Sequence, residues 1–393
     1  MTTISRPSRP GPPPDGASSF TDALDLAAEV ASHSPSSHNC QPWAIATLAS
    51  PRARAAAADL LAGQPEPQMK YLALALDRSR QLDALPAHRL EMLLSCGLYW
   101  DLLGRALQAL GWSRRQVRCA DGTDGSSLPG ISWPAGWTPL GVAAFARCAP
   151  DRRSFEELRE TAQARRTNRL PYRAATIGQD LLSALARPQD PASGGAGVTV
   201  SHLQSSPERA RLARFLARHG GRDFSHSRAW RETYSFIRWS ADDAQARGDG
   251  FTPDSLFGPL SPGRRRLMRM ALCPATMRLL SHAGYHRLLA GRLAELVSPS
   301  PAVVIMSVPQ ADIGVRDGLL CAARLNEFWL AATRAGLALH PISVLLQHAG
   351  LRAALQAEFG VPGRAFFLAR LGYPMADCPA TPRRPATYAM CRL

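Results

Sequence analysis

Apolar residues recur along the chain at two kinds of spacing, which predict helices and strands respectively. A spacing of three to four residues, typical of a helix with one buried face, runs through residues 23–30, 86–111 and 316–335. Short apolar runs such as 71–76 and 302–308 are typical of buried strands. The same criteria predict further helices at about 51–64, 178–187, 207–220 and 349–359, and further strands at 44–48, 140–147, 198–204 and 365–371. The pattern therefore predicts a chain that contains both helices and strands.

Turn-forming residues indicate where this structure begins and where it is interrupted. Residues 1–18 are rich in proline, glycine and serine, which predicts a disordered leader. Thr21-Asp22 predicts the N-cap of the first helix. Residues 119–136 are rich in glycine, serine and proline, and we expect a loop there. Residues 222–297 have mixed helical patterning with several aromatic side chains, so we expect a helical insertion that could act as a lid.

Two stretches of the chain share one layout. Asp77 precedes a helix that closes with Ala109-Leu-Gly-Trp112, and Asp317 opens a helix that closes with Arg334-Ala-Gly-Leu337. An apolar strand follows in both cases, so the repeated strand–helix–strand unit indicates a duplication. The expected division is a leader (1–18), a first half (19–150) and a second half (151–393) that contains the insertion.

The composition changes this picture little. A length of 393 residues fits two domains or a duplicated one. The formal net charge is +15, but Lys70 is the only lysine and the arginines are scattered, which is typical of a coding bias. We therefore expect no nucleic-acid partner, and a phosphate-bearing cofactor is a simpler partner for the few arginines that cluster.

Cysteine usage and hydropathy exclude several other classes. The eight cysteines include no C-x-x-C pair, and the histidines lack metal-ligand spacing, so we expect no metal site. No apolar run is long enough to span a bilayer, and the N-terminus lacks an apolar signal core. The expectation is a soluble cytoplasmic protein without a membrane partner.

The segment Ser34-Pro-Ser-Ser-His-Asn-Cys-Gln-Pro-Trp43 is the first candidate for chemistry. It places small hydrogen-bonding side chains close to the backbone, directly after a helix. On the residues alone it is either a ligand-binding turn or a capped turn beside a buried tryptophan.

The second candidate is Arg165-Arg166-Thr167-Asn168-Arg169. Three guanidiniums and a hydroxyl within five residues make a compact anion cradle, because arginine forms bidentate bonds to phosphate. In an extended segment Arg165, Thr167 and Arg169 would point the same way. The alternative is a solvated basic turn.

Together the two segments resemble the motifs of the nitroreductase superfamily, which are Arg-x-Ser-x-Arg/Lys and Pro-Ser-Ser-x-Asn-x-Gln-Pro-Trp. The order of the two motifs here is the reverse of that in the homodimeric members. This order resembles that of the Acg-like branch, whose chain is a fused pseudo-dimer with one flavin site. Four further phrases resemble that branch, namely Asp77-Arg-Ser-Arg80, Leu94-Ser-Cys-Gly97, Arg370-Leu-Gly-Tyr-Pro374 and Thr381-Pro-Arg-Arg-Pro385. The resemblance spans about 20–390 and is weakest over 222–297. It implies a nitroreductase-like α+β fold of two related halves with antiparallel or mixed sheets flanked by helices.

The resemblance also implies FMN as the cofactor. The phosphate-binding positions would be Arg165, Arg166, Thr167 and Arg169, closed by Arg383 and Arg384. Residues contacting the ribityl chain or the isoalloxazine ring would be Ser36, Ser37, Asn39, Gln41, His340, Pro341, Ile342 and Ser343. One departure from the branch is Leu98-Tyr99-Trp100, whose bulky side chains either fill the core or reshape the substrate pocket.

In this interpretation the protein is an FMN-dependent oxidoreductase that transfers hydride between flavin N5 and a small organic substrate, in a biosynthetic pathway for example. NAD(P)H is one candidate electron donor, and the direction of the reaction is open. His38 and His340 are weak candidates for an acid or base and could equally be structural. Two alternatives stay open, a flavin-storing protein without turnover and a binding module that has lost flavin. The chain could be a monomeric pseudo-dimer or form a homodimer.

Overall fold

The computed structural model describes residues 19–64, 66–121, 128–189 and 197–393, which include two sheets. The first sheet has the order β3–β4–β2–β1–β9, with strands β1 (Trp43–Thr47), β2 (Lys70–Asp77), β3 (Trp112–Cys119), β4 (Trp137–Arg147) and β9 (Met390–Arg392). The second has the order β5–β6–β8–β7, with strands β5 (Thr199–Leu203), β6 (Ala302–Val308), β7 (Ala338–Pro341) and β8 (Arg364–Gly372). All neighbours are antiparallel except β9, which runs parallel to β1. The α+β prediction is therefore confirmed, whereas the expected leader and residues 122–127 lie outside the described residues.

The two sheets have the same internal topology. Strands β1 to β4 take the same places in the first sheet as β5 to β8 take in the second. The duplication predicted from the repeated layout is thus visible as two related halves. The C-terminal strand β9 crosses back to the first sheet, so the end of the chain belongs structurally to the first half.

Helices cover both sheets. Those preceding β5 are α1 (Phe20–Ala31), α2 (Pro51–Leu60), α3 (His88–Ala109), α4 (Arg152–Ala164) and α5 (Gln179–Ala186). Those between β5 and β6 are α6 (Ser206–His219), α7 (Gly221–Ser225), α8 (Ser227–Ser235), α9 (Ala241–Arg247), α10 (Pro253–Phe257), α11 (Pro262–Leu272), α12 (Pro274–His282) and α13 (Tyr285–Val297). The last two are α14 (Val315–Arg334) and α15 (Ala349–Phe359). The helical insertion expected at 222–297 corresponds to α7–α13, which follow α6 in the connection between β5 and β6; the equivalent connection between β1 and β2 contains α2.

The equivalent helices α3 and α14 join the halves by packing against each other. Glycines allow this close approach from both sides. A Cβ atom added at Gly97 would lie 2.5 Å from the Ala322 Cβ, and one added at Gly318 would lie 2.2 Å from the Leu93 Cδ2. Both helices carry buried residues on most of their surface, which places their contact at the centre of the molecule.

Most elements follow the sequence prediction, and the differences have local causes. The first helix begins one residue before the predicted cap, because Ser19 is the N-cap and forms a capping box with Asp22. Strand β3 was not predicted because its middle is charged and exposed, as at Arg115. Strands β7 and β9 were also not predicted, since they are short and are defined by distant partners. No helix among the described residues is long and apolar enough to cross a membrane.

Candidate functional site

The turn between α1 and β1 is strained and tightly held. His38, Asn39 and Gln41 have φ angles of 51°, 54° and 52°, a region that non-glycine residues rarely adopt. Asn39 Nδ2 donates to the Gly250 and Pro382 carbonyl oxygens at 2.9 and 2.8 Å, and Gln41 Nε2 donates to the Gly248 oxygen at 2.8 Å. These bonds fix the turn to the insertion and to the C-terminal segment, so three remote parts of the chain meet here.

A first cavity opens beside this turn, with a volume of about 630 Å³ including the space open to solvent. Its walls come from the turn, from the extended segment after α4, from the insertion and from the C-terminal segment. The lining residues are His33, Pro35, Ser36, Asn39, Arg165, Arg166, Thr167, Arg169, Phe251, Pro379, Ala380, Thr381 and Arg383. None of these described lining residues is acidic, which leaves four guanidiniums around one cavity.

Arg165 is the most deeply buried of these cations. It is 5% exposed, its Nη2 donates to the His33 carbonyl oxygen at 3.0 Å, and its Nε and Nη1 have no partner among the described residues. Burial and the charges of Arg383 and Arg166 lower its pKa well below the usual value. An anion in the cavity would supply the missing partner and neutralise this charge.

Arg383 approaches the same cavity from the C-terminal segment. Its Nη1 donates to the Ser34 carbonyl oxygen and to Asn39 Oδ1, both at 2.8 Å. Burial and the charge of Arg166 lower its pKa to about 10. Asn39 therefore positions an arginine of the cavity, in addition to holding the turn.

The extended segment after α4 supplies four of its five residues 165–169 to the cavity walls. Thr167 forms a single parallel bridge with Leu339, and the Asn168 N–H donates to the Leu339 oxygen at 3.0 Å. Thr167 and Arg169 line both cavities, and Arg169 lies 5.6 Å from the Phe251 ring centroid. Asn168 points away and accepts from the Leu170 N–H at 2.9 Å. Arg165, Arg166 and Thr167 all line the first cavity, so the segment contributes more residues than the alternation of Arg165, Thr167 and Arg169 predicted from the sequence.

A second cavity of about 1090 Å³, including the space open to solvent, adjoins the first. The two share Pro35, Ser36, Thr167 and Arg169. Its walls are mainly apolar and come from both halves: Leu90, Leu94 and Leu98 from α3, Leu325 and Trp329 from α14, and Phe366, Phe367 and Leu368 from β8.

The bulky triplet Leu98-Tyr99-Trp100 divides between core and cavity. Leu98 lines the second cavity. Tyr99 stacks on Trp43 with ring centroids 4.7 Å apart, and Trp100 is buried in the core of the first half. The two aromatic rings are therefore core residues, and the leucine shapes the cavity.

Several sequence-predicted residues lie outside both cavity walls. Arg384 pairs with Asp249 and donates to the Cys40 oxygen at 3.1 Å. Gln41 Oε1 accepts from the Arg384 N–H at 3.2 Å. His340 is buried, with its Nδ1 3.0 Å from Arg370 Nη1, and Ile342 lies in the apolar core. These four support the site from behind, whereas Pro341 and Ser343 line the second cavity.

His38 lines the second cavity, and its Nδ1 has no partner among the described residues. Burial and the charge of His88 lower its pKa to about 4, so the imidazole is neutral near pH 7. The rings of Phe236 and Phe251 surround it at 5.9 Å. The structure thus places His38, and not His340, at a cavity surface.

Glu91 is a cavity residue that the sequence did not indicate. It lies in the first turn of α3 and accepts hydrogen bonds from Ser37 Oγ and from Gln347 Nε2, the latter at 3.0 Å. Burial raises the pKa of its carboxyl group, and the charge of His88 and the Ser37 hydrogen bond oppose this only in part. Glu91 forms no recognisable sequence motif, because its hydrogen-bond partners lie 54 and 256 positions away in the sequence.

Comparison with known proteins gives one extensive relative. No family model matches the chain. The "Probable NAD(P)H nitroreductase PigM" of Serratia sp. (strain ATCC 39006) is 31% identical over 366 residues, covering 93% of this chain and 92% of the relative.

Solved structures match a smaller part of the chain. The FMN-dependent nitroreductase NfnB from Mycobacterium smegmatis, in complex with NADPH, is 16% identical over 57% of this chain and 93% of that chain, with a TM-score of 0.32. A nitroreductase with bound FMN from Bacteroides fragilis is 18% identical over 58% of this chain and 95% of that chain, with a TM-score of 0.31.

Proposed function

The chain belongs to the nitroreductase family, and on that premise we propose that it is an FMN-dependent oxidoreductase acting on a small organic substrate with NAD(P)H as electron donor. The observation that carries the proposal is the cluster of four arginines around the first cavity, which adjoins the mainly apolar second cavity. A charged phosphate and a flat apolar ring system, joined in one molecule, match these two environments.

The arginine cluster fits the phosphate group of FMN. Arg165 and Arg169 have buried N–H groups without a hydrogen-bond partner in the part of the chain that the structure describes, and Arg383 is already positioned by Asn39. The Thr167 hydroxyl adds a neutral donor between the two arginines. The described lining contains four arginines and no acidic residue, which matches a dianion better than a neutral ligand.

The second cavity fits the rest of the cofactor and a substrate. Ser36 lines both cavities and Ser37 lines the second, and both would bond the polar chain that connects phosphate and ring. Leu94, Leu98 and Trp329 give the ring system an apolar surface and keep water away from it. When bound, the flavin supplies the hydride chemistry, and the chain supplies position, electrostatics and proton transfer.

Some sequence-predicted site residues take supporting roles in this proposal. Gln41 and Arg384 hold the turn against Asp249 rather than contacting the phosphate. Arg166 completes the positive surface of the first cavity. His340 and Ile342 stand behind the wall formed by Pro341 and Ser343.

We also propose that one chain is sufficient for the site. Both cavities have walls from residues 19–150 and from residues 151–393, the division expected from the repeat. A homodimer could still form, but it would not have to complete the cavities. A monomeric fraction from gel filtration should therefore bind flavin and turn over, and a requirement for the dimer would contradict this.

The proposal is tested by the absorption spectrum of the purified protein and its response to reductant. We expect bound flavin that is bleached by NADPH or NADH and recovers its colour when a quinone or nitroaromatic is added. Bound flavin that no reductant bleaches would favour the storage alternative instead. Colourless protein that FMN does not reconstitute would contradict the proposal.

Loss of two cradle arginines should abolish flavin retention. Each arginine–phosphate contact is worth about 1.5–3 kcal/mol, so Arg165→Ala with Arg169→Ala should weaken FMN binding by at least about 100-fold. The matched control is Arg115→Ala with Arg278→Ala, which removes the same charge from exposed positions. Equal flavin occupancy in the two double variants would show that the cradle is not the phosphate site.

A further inference from the structure

The Glu91 carboxyl group lies in the wall of the second cavity and has an unusual set of partners. Ser37, which bonds to it, lines the same cavity. The two oxygens of Glu91 accept from side chains of different halves, Ser37 of the first and Gln347 of the second. Glu91 forms no ion pair among the described residues, unlike the neighbouring Glu232, whose Oε2 lies 2.9 Å from His88 Nδ1.

The surrounding bonds hold the carboxyl group in one orientation. Ser95 Oγ donates to the Glu91 carbonyl oxygen at 2.7 Å and accepts from the Ser37 N–H at 3.2 Å. Ser37 is therefore bound to α3 through both its backbone and its hydroxyl. Gln347 Nε2 also lies 3.3 Å from Ser343 Oγ, which links the carboxyl group of Glu91 to the cavity wall formed by Pro341 and Ser343. Such fixation is what a proton-transferring group requires.

We propose that Glu91 is the proton-transferring residue of this active site, acting on the heteroatom of the substrate that gains or loses a proton when hydride is exchanged. The inference rests on the proposed function. In the reducing direction the substrate is an unsaturated compound such as a quinone, an enone or a nitroaromatic. Hydride brings it two electrons and one hydrogen, and one proton is still needed for a neutral product.

The proton balance is simple. The O–H bond of the Glu91 carboxyl group breaks, a new O–H or N–H bond forms on the substrate, and a carboxylate is left. That carboxylate is stabilised by the donors Ser37 and Gln347 and regains a proton from solvent through the open part of the cavity. In the oxidising direction the same carboxylate accepts the proton of the substrate.

Burial raises the pKa of Glu91, which favours the protonated form that a proton donor needs and so supports this role. The ionisable groups facing it are His88 on the same helix, His38 and Cys40 on the turn, and Asp223 of α7 together with His348. The charge of His88 lowers the pKa of Glu91 and that of Asp223 raises it, but His88 forms its ion pair with Glu232, and Glu91 is in no ion pair among the described residues.

The test compares Glu91→Gln with wild type in two half-reactions, using NADPH as reductant and a naphthoquinone as acceptor. We expect Glu91→Gln to keep its flavin and to bleach with NADPH at the wild-type rate. Reoxidation by the quinone should be slowed by about 100-fold, the usual scale of general acid catalysis. Glu91→Asp should recover part of the rate. Reoxidation of Glu91→Gln at the wild-type rate and with the wild-type pH profile would overturn the proposal.

A second variant leaves Glu91 in place. Gln347→Leu removes a donor to the carboxylate, which should raise the pKa of Glu91 further. Because quinone reduction requires the protonated acid, its decline with rising pH should move to higher pH in Gln347→Leu. An unmoved profile would overturn the proposal even if Glu91→Gln failed to fold. Wild-type protein without flavin would instead contradict the proposed function, which separates the two failures.

Discussion

The two adjoining cavities share four residues and yet have opposite chemistry. The first is formed by turns and extended segments and holds guanidiniums that burial deprives of water. The second is formed by α3, α14 and β8 and is lined mainly by leucine and aromatic side chains. The difference shows how the fold divides its tasks: irregular segments supply charge, and the packed core between the halves supplies shape.

The helix pair α3–α14 should matter for the second cavity far more than for the first. Gly97→Ala places a Cβ atom 2.5 Å from the Ala322 Cβ, where neither small side chain can yield. We expect a loss of about 2–3 kcal/mol of unfolding free energy, with a changed KM for the substrate and little change in FMN phosphate affinity. Denaturant titration and steady-state kinetics provide the measurements.

Gly291→Ala is the matched control, because a Cβ atom at this helical glycine meets nothing within 4 Å. It should stabilise the protein by about 0.5–1 kcal/mol. If both variants behaved alike, the close contact between α3 and α14 would not constrain the core.

The ion pair between Glu232 of the insertion and His88 of α3 should stabilise the protein to a degree that depends on pH. Burial opposes the charge of His88, but its hydrogen bond to Glu232 and the neighbouring acidic groups outweigh this and raise the pKa of His88. Burial likewise opposes the charge of Glu232, whose pKa is nevertheless lowered by the bonds from His88 and from the Asp83 N–H.

The Glu232–His88 pair therefore stabilises the protein most at pH values between the lowered pKa of Glu232 and the raised pKa of His88. Its contribution is lost as pH falls through the lowered pKa of Glu232, below 4.5, and as pH rises through the raised pKa of His88, above 6.5. Glu232→Gln should cost about 1–2 kcal/mol near pH 5.5 and less near pH 9. Thermal melts across pH test this, with the exposed Glu295→Gln as control. A cost that did not change with pH would exclude an ionic link.

Binding of inorganic phosphate, which we expect in the first cavity and not in the second, should have the smallest effect of these tests. At a few times its Kd it should raise the stability of flavin-free protein by about 1 kcal/mol, because it binds the folded cradle only. The effect should disappear in Arg165→Ala with Arg169→Ala and persist in Arg115→Ala with Arg278→Ala. Equal stabilisation of all three proteins would indicate a nonspecific salt effect.

The sequence predicted features that depend on local pattern. Strand β6 and helix α15 have the predicted bounds, because their apolar positions match a buried strand and an amphipathic helix. The cluster of Arg165, Thr167 and Arg169 beside the Ser34–Trp43 turn was predicted from the resemblance, since both motifs are contiguous.

Features that depend on distant partners could not be predicted. Glu91 acquires its environment from Ser37 and Gln347, and neither spacing forms a motif. Arg384 was expected at the phosphate, but Asp249 lies 135 positions away and the structure pairs the two. Strand β9 has three residues, too few to show a period, and exists because β1 offers it an edge.

The most direct test of the account is a binding cycle that compares FMN with riboflavin, which lacks the phosphate, on wild type and on Arg165→Ala with Arg169→Ala. Calorimetric titration of flavin-free protein gives the four affinities. We predict that wild type prefers FMN by about 100-fold or more and that the double variant loses most of this preference while binding riboflavin unchanged. The same preference for FMN in both proteins would contradict the assignment of the arginine cavity to the phosphate.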